Sequence, residues 1–526
     1  MRPTLVVDRQ ITLTQAGEIA AGRAHIVLSD AAKQRCAAAF ARLQDVIESQ
    51  RHVYGVTTGF GPLANRIINA RHGATLQQNL VYHLATGVGR PFGWQAARAI
   101  VLARLMAIVQ GASGARLGTI HRLVALLNSE FAPEIPELGT VGASGDLTPL
   151  AHLVLCLQGR GDFLTRHGAR VPGETALSEL AVSPLDLSHR DGLALVNGTS
   201  AMTGVAVLNT LRLGRALDWS ITLSGAMAEV LGGRREAWHK AFAALRPHPG
   251  QVWATERLSD MTQGAGRIEH RPLAQSVLSS ECDVETDIVA GQDAYSIRCA
   301  PQVIGAVRDT GDWLRQVVKI ELHSVTDNPI FPATADAPAL HGGNFMGTHI
   351  ALASDAASSA TVVLAGLHER QIARITDEKL NGGLPAFLSG GKVGLTSGLM
   401  GAQVTATALL AEMRSIGPAS IHSISTNGAN QDVVSQGTIA ARLMRDKLDL
   451  LFRIQAILEM TAAQALDLVQ HDEGGGALTA SAEALRSFVR KTSAFLDDDR
   501  ALGPEIEELA FRLQEEDPHP TSHRAG

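Results

Sequence analysis

The hydrophobic pattern of the chain is dominated by helical spacing. Alanine and leucine recur every three or four residues, while alternating runs of β-branched residues are few and short. The longest helical pattern lies between Gly437 and Gly474, where neither glycine nor proline interrupts it. Because small side chains let long helices approach closely, the chain is predicted to be mainly α, with a long central helical bundle. Similar alanine-rich patterns cover 201–231, 303–325, 347–380 and 397–415.

The first two hundred residues have a different pattern. Shorter segments alternate there with glycine-rich turns, such as those at 54–65 and 84–93. Loops of this kind often carry catalytic or binding residues. We therefore predict a loop-rich N-terminal domain over 1–200, a long-helix domain over 201–514 and a disordered polar tail over 515–526.

Composition and charge narrow the classes of partner. The 526 residues are 45% hydrophobic, which is enough for a large core. The formal net charge of -6 is mild and the basic residues are scattered, so neither a nucleic acid nor a membrane surface is an expected partner. The apolar run at the start is broken by Asp8 and Arg9, and no later stretch reaches about 18 uninterrupted apolar residues. A cytoplasmic location is the default expectation.

Several familiar chemical motifs are missing from the sequence. The four cysteines, Cys36, Cys156, Cys282 and Cys299, are far apart and form no C-x-x-C pair, so they are expected to be buried thiols. Neither a G-x-S-x-G nor an H-E-x-x-H motif occurs, and the segment at 390–397 lacks the order of a phosphate loop. We therefore expect no metal and no nucleotide cofactor.

The tripeptide Ala-Ser-Gly occurs twice, at 112–114 and at 143–145. The first copy follows a helical pattern that Gly111 is expected to end, so it is interpreted as a turn between two helices. The second copy precedes a predicted helix with Thr148 as N-cap and Pro149 at its first position. The positive end of a helix favours electron-rich groups, which suits an electrophile at the second copy.

The second triplet, Ala143-Ser144-Gly145, has one unusual chemical option. If the backbone bends tightly, the nitrogen of Gly145 can attack the carbonyl carbon of Ala143 and close a five-membered ring. Loss of water from that carbon and from the Ser144 hydroxyl then leaves a methylidene-imidazolone, a strong carbon electrophile. Gly145 offers an unhindered nitrogen and Ala143 is small enough for the turn. A lone triplet of small residues is usually only a turn, so the other motifs decide between the two interpretations.

The segment at 139–153, "GTVGASGDLTPLAHL", resembles the prosthetic-group segment of the aromatic amino acid ammonia-lyase family, which includes the histidine, phenylalanine and tyrosine enzymes. In that family the first triplet stays uncyclised, in agreement with its interpretation as a turn. The resemblance extends over nearly the whole chain and includes "YGVTTGFG" (54–61), "LQQNLVYHLATGVG" (76–89), "ALVNGTSAM" (194–202), "GQDAYSIRCAPQVIG" (291–305), "TDNPIF" (326–331), "HGGNFMG" (341–347) and "NQDVVSQG" (430–437).

The resemblance implies roles for individual residues. Tyr54 would be the catalytic base, and its pKa near 10 would have to be lowered by cations or hydrogen bonds. Arg298 would clamp the substrate carboxylate with its planar fork of donors. Tyr295, three residues earlier and so on the same helical face, would handle protons. Asn197 would support the modified ring through hydrogen bonding.

The residues at 83 and 84 bear on the substrate. Histidine enzymes of the family tend to have Ser-His there, phenylalanine enzymes Phe-Leu and tyrosine enzymes His-Leu; this chain has His83 and Leu84. A neutral imidazole can hydrogen-bond a para-hydroxyl, whereas phenylalanine would leave that hydroxyl buried and unpaired, at a cost of roughly 1–3 kcal/mol. The resemblance also implies that the pocket is lined by Gly61, Gln292, Phe345, Asn427, Asn430 and Gln431.

The expected activity is the non-oxidative deamination of L-tyrosine to trans-p-coumarate and ammonia, with phenylalanine as a secondary substrate. The alternatives are a tyrosine aminomutase, a histidine or phenylalanine ammonia-lyase, and an inactive helical scaffold or binding protein that kept the fold. The resemblance further implies a homotetramer whose active sites are shared between subunits.

Overall fold

The computed structural model describes residues 2–275, 291–334, 336–470 and 477–518. Helices dominate these residues and the strands are few and short, which confirms the predicted mainly α fold. In chain order the helices are α1 (Leu13–Ala20), α2 (Asp30–Glu48), α3 (Gly73–Leu84), α4 (Trp94–Val109), α5 (Leu117–Leu127), α6 (Leu147–Leu157), α7 (Gly173–Glu179), α8 (Asp191–Val196), α9 (Ser200–Val230), α10 (Lys240–Leu245), α11 (Pro249–Met261), α12 (Tyr295–Arg298), α13 (Ala300–Leu322), α14 (Thr348–Thr376), α15 (Met400–Ser415), α16 (Gly437–Gln470), α17 (Ala480–Arg490) and α18 (Gly503–Glu515).

The strands form three small sheets. β1 pairs in parallel with β2, β3 pairs antiparallel with β5, and β6 lies between β4 and β7 with antiparallel pairing on both sides. In the β1–β2 pair, Thr4 lies opposite His25 and Val7 opposite Leu28. The strands are β1 (Thr4–Val7), β2 (His25–Leu28), β3 (Val88–Pro91), β4 (Ala132–Pro133), β5 (Pro136–Leu138), β6 (Phe163–Leu164) and β7 (Arg170–Val171).

The long helices lie where the hydrophobic pattern predicted them. The five predicted segments correspond to α9, α13, α14, α15 and α16, with ends that differ by a few residues. The end of the last predicted segment lies outside the described residues, because 471–476 are not described. α14 is long and apolar enough to cross a membrane by length and composition alone, and 67% of its most apolar window is buried, as in a core helix.

The chain forms two compact units, each made of three segments. Unit 1 comprises Met1–Leu211, Trp313–Asp355 and Pro418–Arg445, and unit 2 comprises Arg212–Asp312, Ala356–Gly417 and Asp446–Gly526. The predicted boundary near residue 200 divides the chain at one point, whereas each unit combines three segments. This boundary stays a prediction. The predicted disordered tail falls partly on 519–526, outside the described residues, while α18 continues to Glu515.

Unit 1 is organised around α4, which is apolar on nearly all sides and buried almost throughout. α1, α2 and α5 pack against it. A second group consists of α3, α6 and α8, each of which contacts the other two. The ends of these three helices carry the residues that the sequence singled out: His83 and Leu84 end α3, the second triplet precedes α6, and Asn197 follows α8.

In unit 2 the core is built along α16, whose residues from Leu451 to Val469 are almost all buried. Trp219 of α9 packs on Phe488 of α17 with ring centroids 4.9 Å apart, and its indole N–H donates to the carbonyl of Leu513 in α18 at 3.1 Å. The tryptophan therefore ties three helices of this unit together.

Two of the four cysteines are buried thiols, as predicted. Burial raises the pKa of Cys36 to about 11 and that of Cys156 to about 12. Cys299 is half-buried, and Cys282 lies outside the described residues.

Candidate active site

The second triplet forms a tight left-handed turn directly before α6. Ser144 has φ +57°, a value that residues with a Cβ rarely adopt, and Gly145 has φ +74°. A Cβ at Gly145 would lie 2.3 Å from the carbonyl oxygen of Gly198, so only glycine fits there. The next residue, Asp146, donates its backbone N–H to the same Gly198 oxygen at 2.8 Å. The turn is thus fixed by its own backbone and by the segment that follows α8.

The predicted start of α6 was wrong by two residues. The helix begins at Leu147 with Asp146 as its N-cap, so Thr148 is not the cap and Pro149 is the third helical residue. The Asp146 carboxylate does not cap α6, because one oxygen accepts from the backbone N–H of Met202 at 2.8 Å and the other from the Thr438 hydroxyl. Tertiary partners of this side chain, absent from the local pattern, determine where the helix begins.

Both oxygen atoms of Ser144 are hydrogen-bonded. The side-chain amide of Asn197 donates to the Ser144 carbonyl oxygen at 3.1 Å, and that of Gln431 donates to the Ser144 hydroxyl oxygen at 3.3 Å. Asn427 in turn donates to the side-chain oxygen of Gln431 at 2.6 Å. Asn430 lies exposed in the same turn, and its backbone N–H donates to the Asn427 carbonyl at 3.2 Å. Four of the predicted site residues therefore gather around or next to the second triplet.

The residues of this turn fit a methylidene-imidazolone. Ring closure needs a tight turn with an unhindered nitrogen, and the turn at Ser144 and Gly145 provides both. The Ser144 carbonyl would remain as the ring carbonyl, and Asn197 already donates to that oxygen. The side-chain oxygen of Asn197 is buried and has no hydrogen-bond partner within the described part of the chain.

The first triplet has a different geometry. Gly111, with φ +84°, follows the end of α4 as predicted. Ser113 is buried and is not among the residues with positive φ, and its carbonyl oxygen accepts from Arg190 at 2.5 Å. The same three residue types are therefore held in an ordinary connection between helices.

A cluster of buried charges lies behind Asn197. Arg190 and Asp327, both with fully buried side chains, form a two-point ion pair at 2.8 and 3.1 Å. The fully buried Arg104 donates to the Asn197 carbonyl oxygen, and burial lowers the pKa of Arg104 to about 10. The sequence analysis did not identify these three residues. For Arg104 the available signal was an arginine inside the apolar pattern of α4, because buried arginines are rare and need partners.

Tyr54 lies on the loop predicted to carry the base. Its hydroxyl oxygen accepts from the backbone N–H of Gly61 at 2.9 Å, and its own backbone N–H donates to His341 at 3.1 Å. Burial raises the pKa of Tyr54, while the Gly61 N–H and the charge of Arg190 act in the opposite direction. The expected lowering of this pKa is therefore not found within unit 1, since desolvation outweighs the favourable contacts.

Gln77 connects this loop to the helices and was missed by the sequence analysis. Its fully buried side chain donates to the Gly55 carbonyl at 3.0 Å and accepts from the backbone N–H of Leu193 at 2.8 Å. It thus joins α3, the Tyr54 loop and α8. A polar residue on the apolar face of α3, three and four residues before Leu80 and Val81, was the available signal.

The end of α3 presents His83 to solvent. Its Nδ1 lies 2.9 Å from the carbonyl oxygen of Asn79, one helical turn earlier. Because a carbonyl can only accept, Nδ1 carries the proton, and the Nε2 of a neutral imidazole is then an acceptor. Leu84 and Phe345 are half-buried, and no hydrogen bond or ring contact links them to the second triplet among the described residues.

Three predicted site residues form a separate cluster in unit 2. The guanidinium of Arg298 lies over the ring of Tyr295, 4.7 Å from its centroid, and donates to the side-chain oxygen of Gln292. Both ring and guanidinium project from α12, in agreement with the shared face predicted from their spacing. Tyr295 is 71% exposed, so this cluster faces outward from unit 2.

The family model described as aromatic amino acid lyase matches residues 11–490. The chain belongs to this family. It is 57% identical over 517 residues to a tyrosine ammonia-lyase from Cereibacter sphaeroides, covering 98% of each chain. It is also 40% identical over 478 residues to a MIO-dependent tyrosine 2,3-aminomutase from Streptomyces globisporus, covering 89% of this chain and 87% of the relative. The crystal structure of the tyrosine aminomutase from that organism superposes with a TM-score of 0.90 at 36% identity, over 98% of this chain and 97% of the other.

We expect the stability of this aromatic amino acid lyase family member to depend on pH through the buried carboxyl group of Asp146. Burial raises the pKa of Asp146 to about 6, against the hydrogen bonds from Thr438 and Met202. The folded protein therefore holds this proton more tightly than the unfolded chain, where the pKa is about 3.9. The bound proton stabilises the fold fully below about pH 4, and this contribution is lost as the pH rises through 6. It raises the free energy of unfolding by roughly 3 kcal/mol at most.

Asp146→Asn removes the titration. Its amide oxygen can still accept from the Met202 N–H, and its amide nitrogen can donate to the Thr438 hydroxyl oxygen, which reverses that hydrogen bond. The melting temperature of wild type relative to this variant should therefore fall between pH 4 and 6 and level off above. Thermal unfolding at half-unit pH steps measures the difference. Asp162→Asn, at an exposed position, is the control for the loss of one carboxylate. A flat difference for Asp146→Asn would contradict the prediction.

Proposed function

We propose that the protein deaminates L-tyrosine to trans-p-coumarate and ammonia without oxidation, with phenylalanine as a slower substrate. The observation that carries the proposal is the left-handed turn at Ser144, whose carbonyl oxygen is held by Asn197. The tyrosine ammonia-lyase relative, 57% identical over nearly the whole chain, supports the same activity.

Ammonia is a poor leaving group and the β-proton of an amino acid is only weakly acidic, so the reaction needs an electrophile and a positioned base. We propose that Ala143, Ser144 and Gly145 form a methylidene-imidazolone, which would supply an electrophilic carbon next to the substrate. Asn197 would donate to the carbonyl oxygen of Ser144. Gln431, whose side-chain oxygen accepts from Asn427, would donate to the Ser144 hydroxyl and so orient that side chain.

In this proposal Tyr54 removes the β-proton. The Gly61 N–H already donates to the Tyr54 oxygen and would stabilise the phenolate, while burial works against it. Alkaline pH, or any cation close to the hydroxyl, therefore increases the fraction of Tyr54 that is deprotonated. Gln77 and His341 hold the loop on which it lies.

We assign the substrate carboxylate to Arg298, whose guanidinium offers two parallel donors, and a proton-handling role to the neighbouring Tyr295. Gln292 would keep the guanidinium oriented through the contact already present. We further propose a cytoplasmic homotetramer whose active sites draw on several subunits, in which assembly is needed for activity.

The substrate ring is assigned to the end of α3. With Nδ1–H donating to Asn79, the exposed Nε2 of His83 is available to accept the para-hydroxyl of tyrosine. Leu84, Phe345 and Asn430 would line the remainder of the pocket. The imidazole is the feature that favours tyrosine over phenylalanine.

A tyrosine aminomutase is the second candidate, since a relative with that activity is 40% identical and its family shares this fold. A competition assay separates the candidates. Purified protein receives equal concentrations of tyrosine, phenylalanine and histidine, and every product is identified by chromatography and mass. Dominant p-coumarate is expected. Dominant β-tyrosine would identify an aminomutase, dominant cinnamate or urocanate would indicate a phenylalanine or histidine lyase, and no product would support a helical scaffold.

A further inference from the structure

The short helix α12 cannot keep its own position. It contains four residues, Tyr295 to Arg298, and helices this short are unstable in isolation. Ile297 is its single buried side chain, while Tyr295 is largely exposed. Yet the proposed function gives two of these four residues demanding roles. Something outside the helix must fix their geometry.

Two buried side chains of unit 2 donate hydrogen bonds to neighbouring carbonyls of α12. Gln371, on α14 and fully buried, donates from Nε2 to the Ser296 carbonyl oxygen at 3.1 Å. The indole N–H of the buried Trp238 donates to the Ile297 carbonyl oxygen at 3.2 Å. These two carbonyls belong to the residues that lie between Tyr295 and Arg298.

The orientation of the Gln371 amide is itself fixed. The Nδ1 of the fully buried His368 lies 3.1 Å from the Gln371 side-chain oxygen, and an amide oxygen can only accept, so Nδ1 carries a proton. Burial lowers the pKa of His368 to about 4, so the imidazole is neutral near pH 7. Its Nε2 lies 2.9 Å from the Ser220 hydroxyl. With the amide oxygen engaged by His368, the amide nitrogen must face Ser296.

We propose that Gln371 and Trp238 are positioning residues that hold α12 by its carbonyls, and that His368 sets the direction of the Gln371 amide. This inference rests on the proposed function, in which Arg298 binds the substrate carboxylate. A guanidinium displaced by a fraction of an ångström loses its two-point contact with a carboxylate. The buried network therefore determines tyrosine affinity from a distance.

The test is Gln371→Met, which keeps the size of the side chain and removes the donor. Because Arg298 is assigned to binding the carboxylate both before and during the reaction, KM for tyrosine should rise roughly fivefold while kcat changes much less. Trp238→Phe should act in the same direction. Hydrogen exchange should accelerate at the amides of 297–299, which donate to Ala294 and Tyr295 within and before α12.

Gln464→Met is the matched control. Gln464 is also buried in unit 2, and its Nε2 donates to the carbonyls of Leu388 and Leu496, both at 3.1 Å. The Nε2 of Gln371 likewise has two acceptors, the Ser296 carbonyl and the Ser224 hydroxyl oxygen at 3.0 Å. This variant should lose thermal stability to a similar extent, with an unchanged KM and unchanged exchange at 297–299. An effect common to both glutamine variants would show a purely structural role and overturn the inference.

The two proposals fail in different ways. If the wild type forms no product from tyrosine, the proposed function fails, and hydrogen exchange still tests whether Gln371 holds α12. If the wild type is active and Gln371→Met leaves both KM and exchange unchanged, the positioning role fails and the proposed function stands.

Discussion

Ser144→Ala is expected to abolish p-coumarate formation, with a loss of about a thousandfold or more. The Ser144 hydroxyl is the group whose loss as water would create the methylidene carbon, and alanine has no leaving group at that position. The fold should survive, because the side chain is small and its hydroxyl makes one long hydrogen bond, 3.3 Å from Gln431. Product formation and the intact mass of the peptide spanning residue 144 give the two measurements. The wild-type peptide should be two waters lighter than its sequence and the variant peptide should not.

The chain offers its own control in the first triplet. Ser113→Ala makes the same substitution between the same neighbours, at a buried hydroxyl that has no hydrogen-bond partner within the described residues. Activity and peptide mass should be unchanged there. Wild-type activity in Ser144→Ala would refute the assignment of the electrophile, and equal losses in both variants would point to folding instead of chemistry.

His83→Phe is expected to reverse the preference between tyrosine and phenylalanine. The variant removes the acceptor that Nε2 provides and leaves the tyrosine hydroxyl unpaired in the proposed pocket, at a cost of roughly 1–3 kcal/mol once substrate excludes water there. This corresponds to a change of about 5- to 150-fold in the ratio of the two kcat/KM values. Phenylalanine, which has no hydroxyl to satisfy, should be used as well as before or better. Separate kinetics with each substrate give the ratio.

A suitable control is His121→Phe, on an exposed position of α5 in the same unit. It makes the same change in charge and shape without touching α3, and the substrate ratio should not move. A His83→Phe variant that kept its preference for tyrosine would mean that another group recognises the para-hydroxyl.

Local sequence patterns predicted five of the long helices because the information for a helix lies in residues close along the chain. The alanine- and leucine-rich spacing gave α9, α13, α14, α15 and α16 their approximate bounds. The start of α6 shows where this reasoning fails. A threonine followed by proline is a common helix start, but the N-cap of α6 is Asp146. The Met202 N–H and the Thr438 hydroxyl donate to its carboxylate and hold it there.

The same distinction applies to the candidate active site. Motif resemblance identified Asn197 as the support of the modified ring and Gln431 and Asn427 as pocket residues, and the structure places them in one hydrogen-bonded group with Ser144. The residues that fix this group and the substrate-binding helix were not predicted. Gln77 and Gln371 lie inside helical patterns, where a single glutamine is unremarkable until its distant partners are known.

The protonation of Tyr54 depends even more on its surroundings. The chemistry of the proposed reaction required a lowered pKa, whereas burial in unit 1 raises it. Desolvation depends on how many groups pack around the phenol, and that packing is complete only in the folded chain.

By itself the sequence determined the mainly α fold, the approximate bounds of the long helices, the family and the chemical option of the second triplet. These follow from neighbours along the chain: helical spacing repeats within a few residues, and the ring that three consecutive residues can close involves no others. The tertiary structure alone decided what holds the second triplet in its left-handed turn, where α6 begins, which nitrogen of His83 is free, and what holds α12. Each of these depends on a side chain and a partner that folding brings together, such as Asn197 and Ser144, which are 53 residues apart.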